Sequence, residues 1–196
     1  MSEQVKIRKI CKVVRVLVAL FIMMQLAIFS LLLVSGQNNE GGYQFSESFT
    51  FLTFFTSGAT VDFSGSWSDL AKALTDEGFN SLLILGGAEL VPSILIYLSL
   101  FKLFGLYQRG AIFTAENIKC IKKIGTVLLA WFALKLCYPI VVTLVIRFSG
   151  ASDTLSLYIG LGTTELKYLL IGLIIYVIAW VMNEATSLHQ EQELVI

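Results

Sequence analysis

The stretch VVRVLVALFIMMQLAIFSLLLV, residues Val13 to Val34, decides the fold class. It is 22 residues long and carries one formal charge, Arg15 near its start. As a helix rising 1.5 Å per residue it reaches about 33 Å, enough to cross a hydrocarbon core of ~30 Å. A cleaved signal peptide would share the basic start, and Val34-Ser35-Gly36 offers a small-residue cleavage site. The apolar core of such a signal runs only about 7–15 residues, so retention as an anchor is expected.

Three further apolar blocks follow. One runs from about Asn80 to Phe104, interrupted by Glu89 and Pro92. Another runs from Ile124 to Ile146, interrupted by Lys135 and Pro139, and the last from about Gly162 to Met182, with Glu165 and Lys167 near its start. Of the 196 residues 56% are hydrophobic and 14% charged, with a mean hydropathy of +0.79. A soluble domain carries about a quarter charged residues, and four such blocks would leave too little polar surface to cover them. The reading is an all-α integral membrane protein, a single membrane domain over 1–196. Its four transmembrane helices span about 13–35, 80–104, 124–146 and 162–182. Between them lie an outer segment 36–79, an inner loop 105–123, an outer loop 147–161 and a tail 183–196.

Orientation follows from Lys and Arg in the short flanking segments. The amino-terminal segment holds Lys6, Arg8, Lys9, Lys12 and Arg15, and the loop between spans two and three holds Arg109, Lys119, Lys122 and Lys123. The opposite side holds Lys72, Arg147 and Lys167, together with Glu40, Glu47, Asp62, Asp69, Asp76, Glu77 and Asp153. The basic side is expected to face the cytoplasm, and with it both termini.

Residues 36–79 are too long for a simple connection. From Tyr43 to Phe55 aromatic and polar residues alternate, the period of a strand. Thr56-Ser57-Gly58-Ala59 supplies turn chemistry and Thr60 to Phe63 a returning partner, so the pattern predicts an outer β-hairpin. Next, Ser66 and Asp69 stand at the spacing of a variant capping box. Trp67, Leu70, Ala71 and Leu74 fall on one helical face, and Gly78 can end the helix. This predicts a short amphipathic helix, lying at the membrane interface or packed as a lid on the bundle.

In the inner loop Gly110 can terminate an extended second helix. Thr114 is a plausible N-cap, Glu116 suits the first turn, and Phe113 and Ile118 occupy the positions of a hydrophobic staple. Lys119, Lys122 and Lys123 are placed for lipid headgroups or a partner, each favoured by anionic lipid by about 1 kcal/mol. The run Lys102-Leu103-Phe104, Tyr107-Gln108-Arg109-Gly110-Ala111-Ile112-Phe113-Thr114-Ala115-Glu116-Asn117 and then Ile121 to Gly125 resembles the hallmark of a bacterial membrane-protein family. That family is catalogued as domain of unknown function 2975. The segments Trp67–Leu70 and Glu191–Ile196 are similar too, whereas Gln37 to Gly65 adds no support. The resemblance implies a bacterial inner-membrane location, four helices, and a frequent genomic neighbour encoding a small helix-turn-helix regulator. It supplies no catalytic residue to carry over.

An ionisable residue inside a span is a functional candidate by default. Glu89 lies about seven residues, so ~10 Å, from the outer end of span two, and Lys135 about eleven residues, so ~16 Å, from that of span three. Their antiparallel spans allow pairing. Pro139 cannot donate to the carbonyl of Lys135, and Pro92 leaves that of Ala88 free, so both helices can bend near their charges. Gly86 and Gly87 permit close helix approach. The pair reads either as a structural ion pair or as a proton or solute site.

Nothing resembles an enzyme: there is no phosphate loop, no HExxH and no GxSxG. Cys11, Cys120 and Cys137 form no CxxC pair and His189 has no cysteine near it, so neither metal nor cofactor is expected. The zero net charge predicts no direct nucleic-acid binding. Expected partners are membrane lipid and a cytosolic regulatory protein, with a homo-oligomer also compatible. Three functions fit this frame: a regulatory or interaction protein, a small transporter using Glu89 and Lys135, or an envelope-stress or toxin-immunity protein using the outer hairpin. The apolar run Leu194-Val195-Ile196 after Glu191-Gln192-Glu193 reads as a contact with a cytosolic partner, as docking on the chain's own inner loop beside Lys119, Lys122 and Lys123, or as a free end.

Overall fold

A computed structural model describes residues 3–39, 42–45, 60–62, 66–110, 114–150, 160 and 162–193. Helix α1 runs Glu3–Ser35, followed by strands β1 (Gly36–Asn39), β2 (Gly42–Phe45) and β3 (Thr60–Asp62). Helix α2 is Ser66–Asp76. A single π-helical turn, Leu82–Gly86, then leads into α3 (Gly87–Gln108), and α4 (Ala115–Phe148) and α5 (Thr163–Glu193) complete the order.

Four helical segments are long and apolar enough to cross a membrane: Lys6–Ser35, Leu82–Gln108, Ala115–Phe148 and Glu165–Ser187. Their outward surfaces are apolar, with Leu20, Met23, Val91, Val145, Leu170 and Trp180 all exposed. In water such a surface would be untenable, and against lipid it is the expected one. The helices outrun the apolar blocks. α1 begins at Glu3 because the basic residues before Val13 are good helix formers. α4 begins at Ala115, so much of the inner loop expected over 105–123 is helix, and α5 continues to Glu193 within the expected tail. Apolarity marks the lipid boundary, whereas caps mark the helix boundary.

The chain divides into two compact units. One gathers Met1–Met23, Pro92–Trp131 and Lys167–Ile196, and the other Met24–Val91 and Phe132–Leu166. We call them the first and second units.

The second unit contains the three-stranded antiparallel sheet β1-β2-β3. Its register pairs Gly36 with Phe45 and Gln44 with Thr60. This differs from the single hairpin expected. Thr60–Asp62 returns along Gly42–Phe45, and Gly36–Asn39 adds a strand on the other edge. The GQNN of β1 has no alternating pattern, and its extended shape comes from pairing. The expected strand beyond Phe45 and the turn at 56–59 lie outside the described residues.

Helix α2 forms the core of the same unit. Trp67, Leu70, Ala71 and Leu74 are buried and pack with Leu85, Val142 and Ile146. Burying each large side chain of that stripe contributes about 1.5–3 kcal/mol relative to water. Its apolar face is therefore covered by protein. Gly78, at φ +82°, closes the helix: its N–H bonds to Thr75 O at 2.9 Å, and that of Phe79 to Leu74 O at 2.8 Å. Asn80 caps the next helix, its Oδ1 accepting from the Leu83 amide at 3.0 Å.

The first unit packs Leu103 and Leu106 of α3 against Cys120, Ile124 and Leu128 of α4, with Tyr168 and Ile175 of α5 beside them. Gly125 and Gly172 bring α4 and α5 into backbone contact. A Cβ on Gly125 would lie 2.8 Å from Tyr176 N, and one on Gly172 2.9 Å from Leu128 Cβ. Of the two glycines of the second unit expected to permit close approach, Gly86 does so, since a Cβ there would stand 3.1 Å from the Phe29 ring, whereas one on Gly87 would meet nothing within 4 Å.

Candidate functional site

Glu89 stands on the first turn of α3 and Lys135 midway along α4, both in the second unit. Lys135 Nζ donates to Glu89 Oε1 at 2.5 Å; the lysine is 5% exposed and the glutamate 25%. The ammonium also lies 4.1 Å from the centroid of the Trp67 ring, a cation–π contact. One face of the charge thus meets a carboxylate and another an aromatic quadrupole.

The backbone beneath is clamped from the same direction. Pro139 has no N–H, so the Lys135 carbonyl lacks its ordinary donor four residues on. Trp67 Nε1 donates to that carbonyl at 3.0 Å. Trp67 also stacks on Tyr138, with centroids 5.5 Å apart, and Tyr138 donates its hydroxyl to Ile84 O in the π-helical turn at 2.9 Å. Glu89, Lys135, Trp67, Tyr138 and Pro139 therefore tie α2, the π-turn, α3 and α4 together. The sequence singles out the two charges and the missing donor. It does not reveal that Trp67 is the replacement donor; the available signal was an amphipathic helix led by an N–H-bearing aromatic, upstream of a carbonyl in need of one.

The second cluster is the α3–α4 corner of the first unit. Gly110, at φ +82°, turns the chain, with Arg109 N bonded to Leu106 O and Gly110 N to Tyr107 O, both at 3.0 Å. Thr114 caps α4, its Oγ1 accepting the Asn117 amide at 3.4 Å, and Asn117 is fully buried. Phe113, and with it the expected staple, lies outside the described residues. Arg109, Lys119, Lys122 and Lys123 are exposed, and Lys122 lies 5.5 Å from the centroid of the Tyr176 ring. Leu194, Val195 and Ile196 also lie outside the described residues.

Among the described residues no three His, Cys, Asp or Glu side chains are grouped to hold a metal. Cys11 and Cys120 are buried and Cys137 is exposed.

No curated protein and no solved structure matches the chain. A family match does, over residues 13–196, which takes in the charge pair, the corner and the stretch from Gln37 to Gly65 that adds no support to the resemblance. With four helices able to cross a membrane and a match over nearly its whole length, the chain belongs to the family described as protein of unknown function (DUF2975).

Proposed function

We propose that this is a non-enzymatic protein of the bacterial inner membrane whose α3–α4 corner faces the cytoplasm and recruits the acidic surface of a cytosolic regulatory protein. One observation carries the reading. Arg109, Lys119 and Lys123 are exposed around a turn fixed by Gly110 and the Thr114 cap, and none lies within ion-pair distance of an acidic residue among the described residues. Exposed cations held on a defined frame favour an external anionic surface and speed its encounter. The family resemblance suggests a small helix-turn-helix regulator as that partner.

The intramembrane pair supports a structural role by contrast. Lys135 is enclosed by Glu89 and Trp67, which leaves its charge little capacity for cargo. The transport reading needs that pair to open.

The test places a photo-crosslinking residue at Lys119 in living cells, with the same residue at Lys72 as control. Adducts with a soluble protein are expected from position 119 only, and Lys123→Glu should abolish them. Identical adducts from both positions, or adducts indifferent to the charge reversal, would sink the proposal.

A further inference from the structure

In the first unit, Arg15 of α1 sits between two hollows. One, of about 270 Å³, is lined by Arg15, Phe101, Lys102, Gly105, Arg109 and Glu116. It carries three cations against one carboxylate. The other, of about 260 Å³, is lined by Lys12, Arg15, Val16, Ala19, Phe101 and Gln108.

The guanidinium between them is held in place. Nη1 donates to Gln108 Oε1 at 2.9 Å, and Cζ lies 4.4 Å from the centroid of the Phe101 ring. Nε is buried and has no hydrogen-bond partner among the described residues. Gly105 makes the room: a Cβ there would already stand 3.6 Å from Arg15 Cζ and Nε. A preorganised guanidinium, flanked by a lysine and a second arginine, suits a phosphate group.

The lining also identifies what bears the phosphate. Lys12, Arg15, Val16 and Ala19 follow the i, i+3, i+4, i+7 spacing of one stripe on α1. Along it the chemistry passes from cationic to apolar; Val16 on the stripe and Val13, Leu17 and Leu20 beside it are exposed. Free phosphate needs only the cationic end, whereas an amphiphile uses both. A basic pocket between helices at the end of a span is a recognised headgroup site.

We propose that Arg15, Lys102 and Arg109 bind the phosphate of an anionic phospholipid headgroup, with its acyl chains along the Val16–Ala19 stripe of α1. The site shares Arg109 with the partner surface proposed above but not Lys119 or Lys123, and it stands on its own lining.

The experiment uses the full chain purified in a neutral detergent and native mass spectrometry. The additions are phosphatidylglycerol, phosphatidylcholine with the same acyl chains, or inorganic phosphate. Wild type should retain phosphatidylglycerol over phosphatidylcholine. Two variants weaken retention by different means: the pair Lys102→Gln with Arg109→Gln removes charge at exposed positions, and Gly105→Leu fills the hollow while keeping every charge. Each should weaken phosphatidylglycerol retention about ten-fold, the loss expected for charge-assisted hydrogen bonds. Lys72→Gln, in the second unit, should change nothing. Equal retention of the two lipids overturns the proposal, as does full retention by Gly105→Leu. Displacement of the lipid by equimolar inorganic phosphate would assign the site to free phosphate and overturn the lipid assignment.

Discussion

Pro139 removes one amide hydrogen from α4, and Trp67 supplies the replacement donor to the Lys135 carbonyl, 68 positions away in sequence. Trp67→Phe keeps most of the ring area but strands the Lys135 carbonyl, at an expected cost of about 1–3 kcal/mol. Pro139→Ala returns the intrahelical donor, so Trp67→Phe should cost markedly less in that background. Thermal unfolding of the four proteins in detergent gives the coupling, and an additive result would refute the replacement-donor role. The ion pair above it behaves differently. Glu89→Gln or Lys135→Met alone leaves a partly buried charge without its partner and should destabilise by about 3 kcal/mol, whereas the double variant should recover much of that loss. Single variants as stable as wild type would exclude a structural pair, and stable variants that lose a measured ion or solute flux would favour transport.

At the scale of elements, α4 and α5 approach through Gly125 and Gly172, where the neighbouring atoms include backbone that cannot rotate away. Gly125→Val should force the helices apart at about 1–3 kcal/mol, read as a lowered midpoint of thermal aggregation in detergent. Gly87→Ala, which meets nothing within 4 Å, is the matched control and should be neutral or slightly stabilising. These glycines also show where sequence reading stops. The four apolar runs were legible because their length answers to bilayer thickness, and Gly110, Thr114 and Gly78 because turns and caps are local chemistry. Glu89 and Lys135 stood out because a charge at that depth is rare. Gly125 and Gly172 did not, since small residues are common in spans and only the crossing point reveals which ones touch. β1 was invisible for a related reason: GQNN becomes a strand through β2, not through its own preference. Trp67 was legible as the apolar face of a helix but not as a donor, because its acceptor lies on another helix.

For the whole molecule, the proposed orientation rests on the distribution of lysine and arginine. The native thiols report it poorly, since Cys11 and Cys120 are 5% and 6% exposed. Exposed positions serve better. In a background with all three cysteines replaced by serine, a cysteine at Lys119 should resist an impermeant maleimide in intact cells, and one at Lys72 should react. The reverse pattern would invert the topology.

The Glu89–Lys135 pair has a consequence for biogenesis. Its partners are separated by 46 residues, so the ribosome delivers the acid well before the base. At about 5–20 residues per second the interval is roughly 2 to 9 seconds. During it the second span must enter the translocon with its carboxylate uncompensated, and the next span then brings the neutralising charge. A nascent chain arrested after the second span but not Lys135 has left the ribosome should therefore be easier to extract with alkaline carbonate than one arrested after both have emerged. Glu89→Gln should erase that difference.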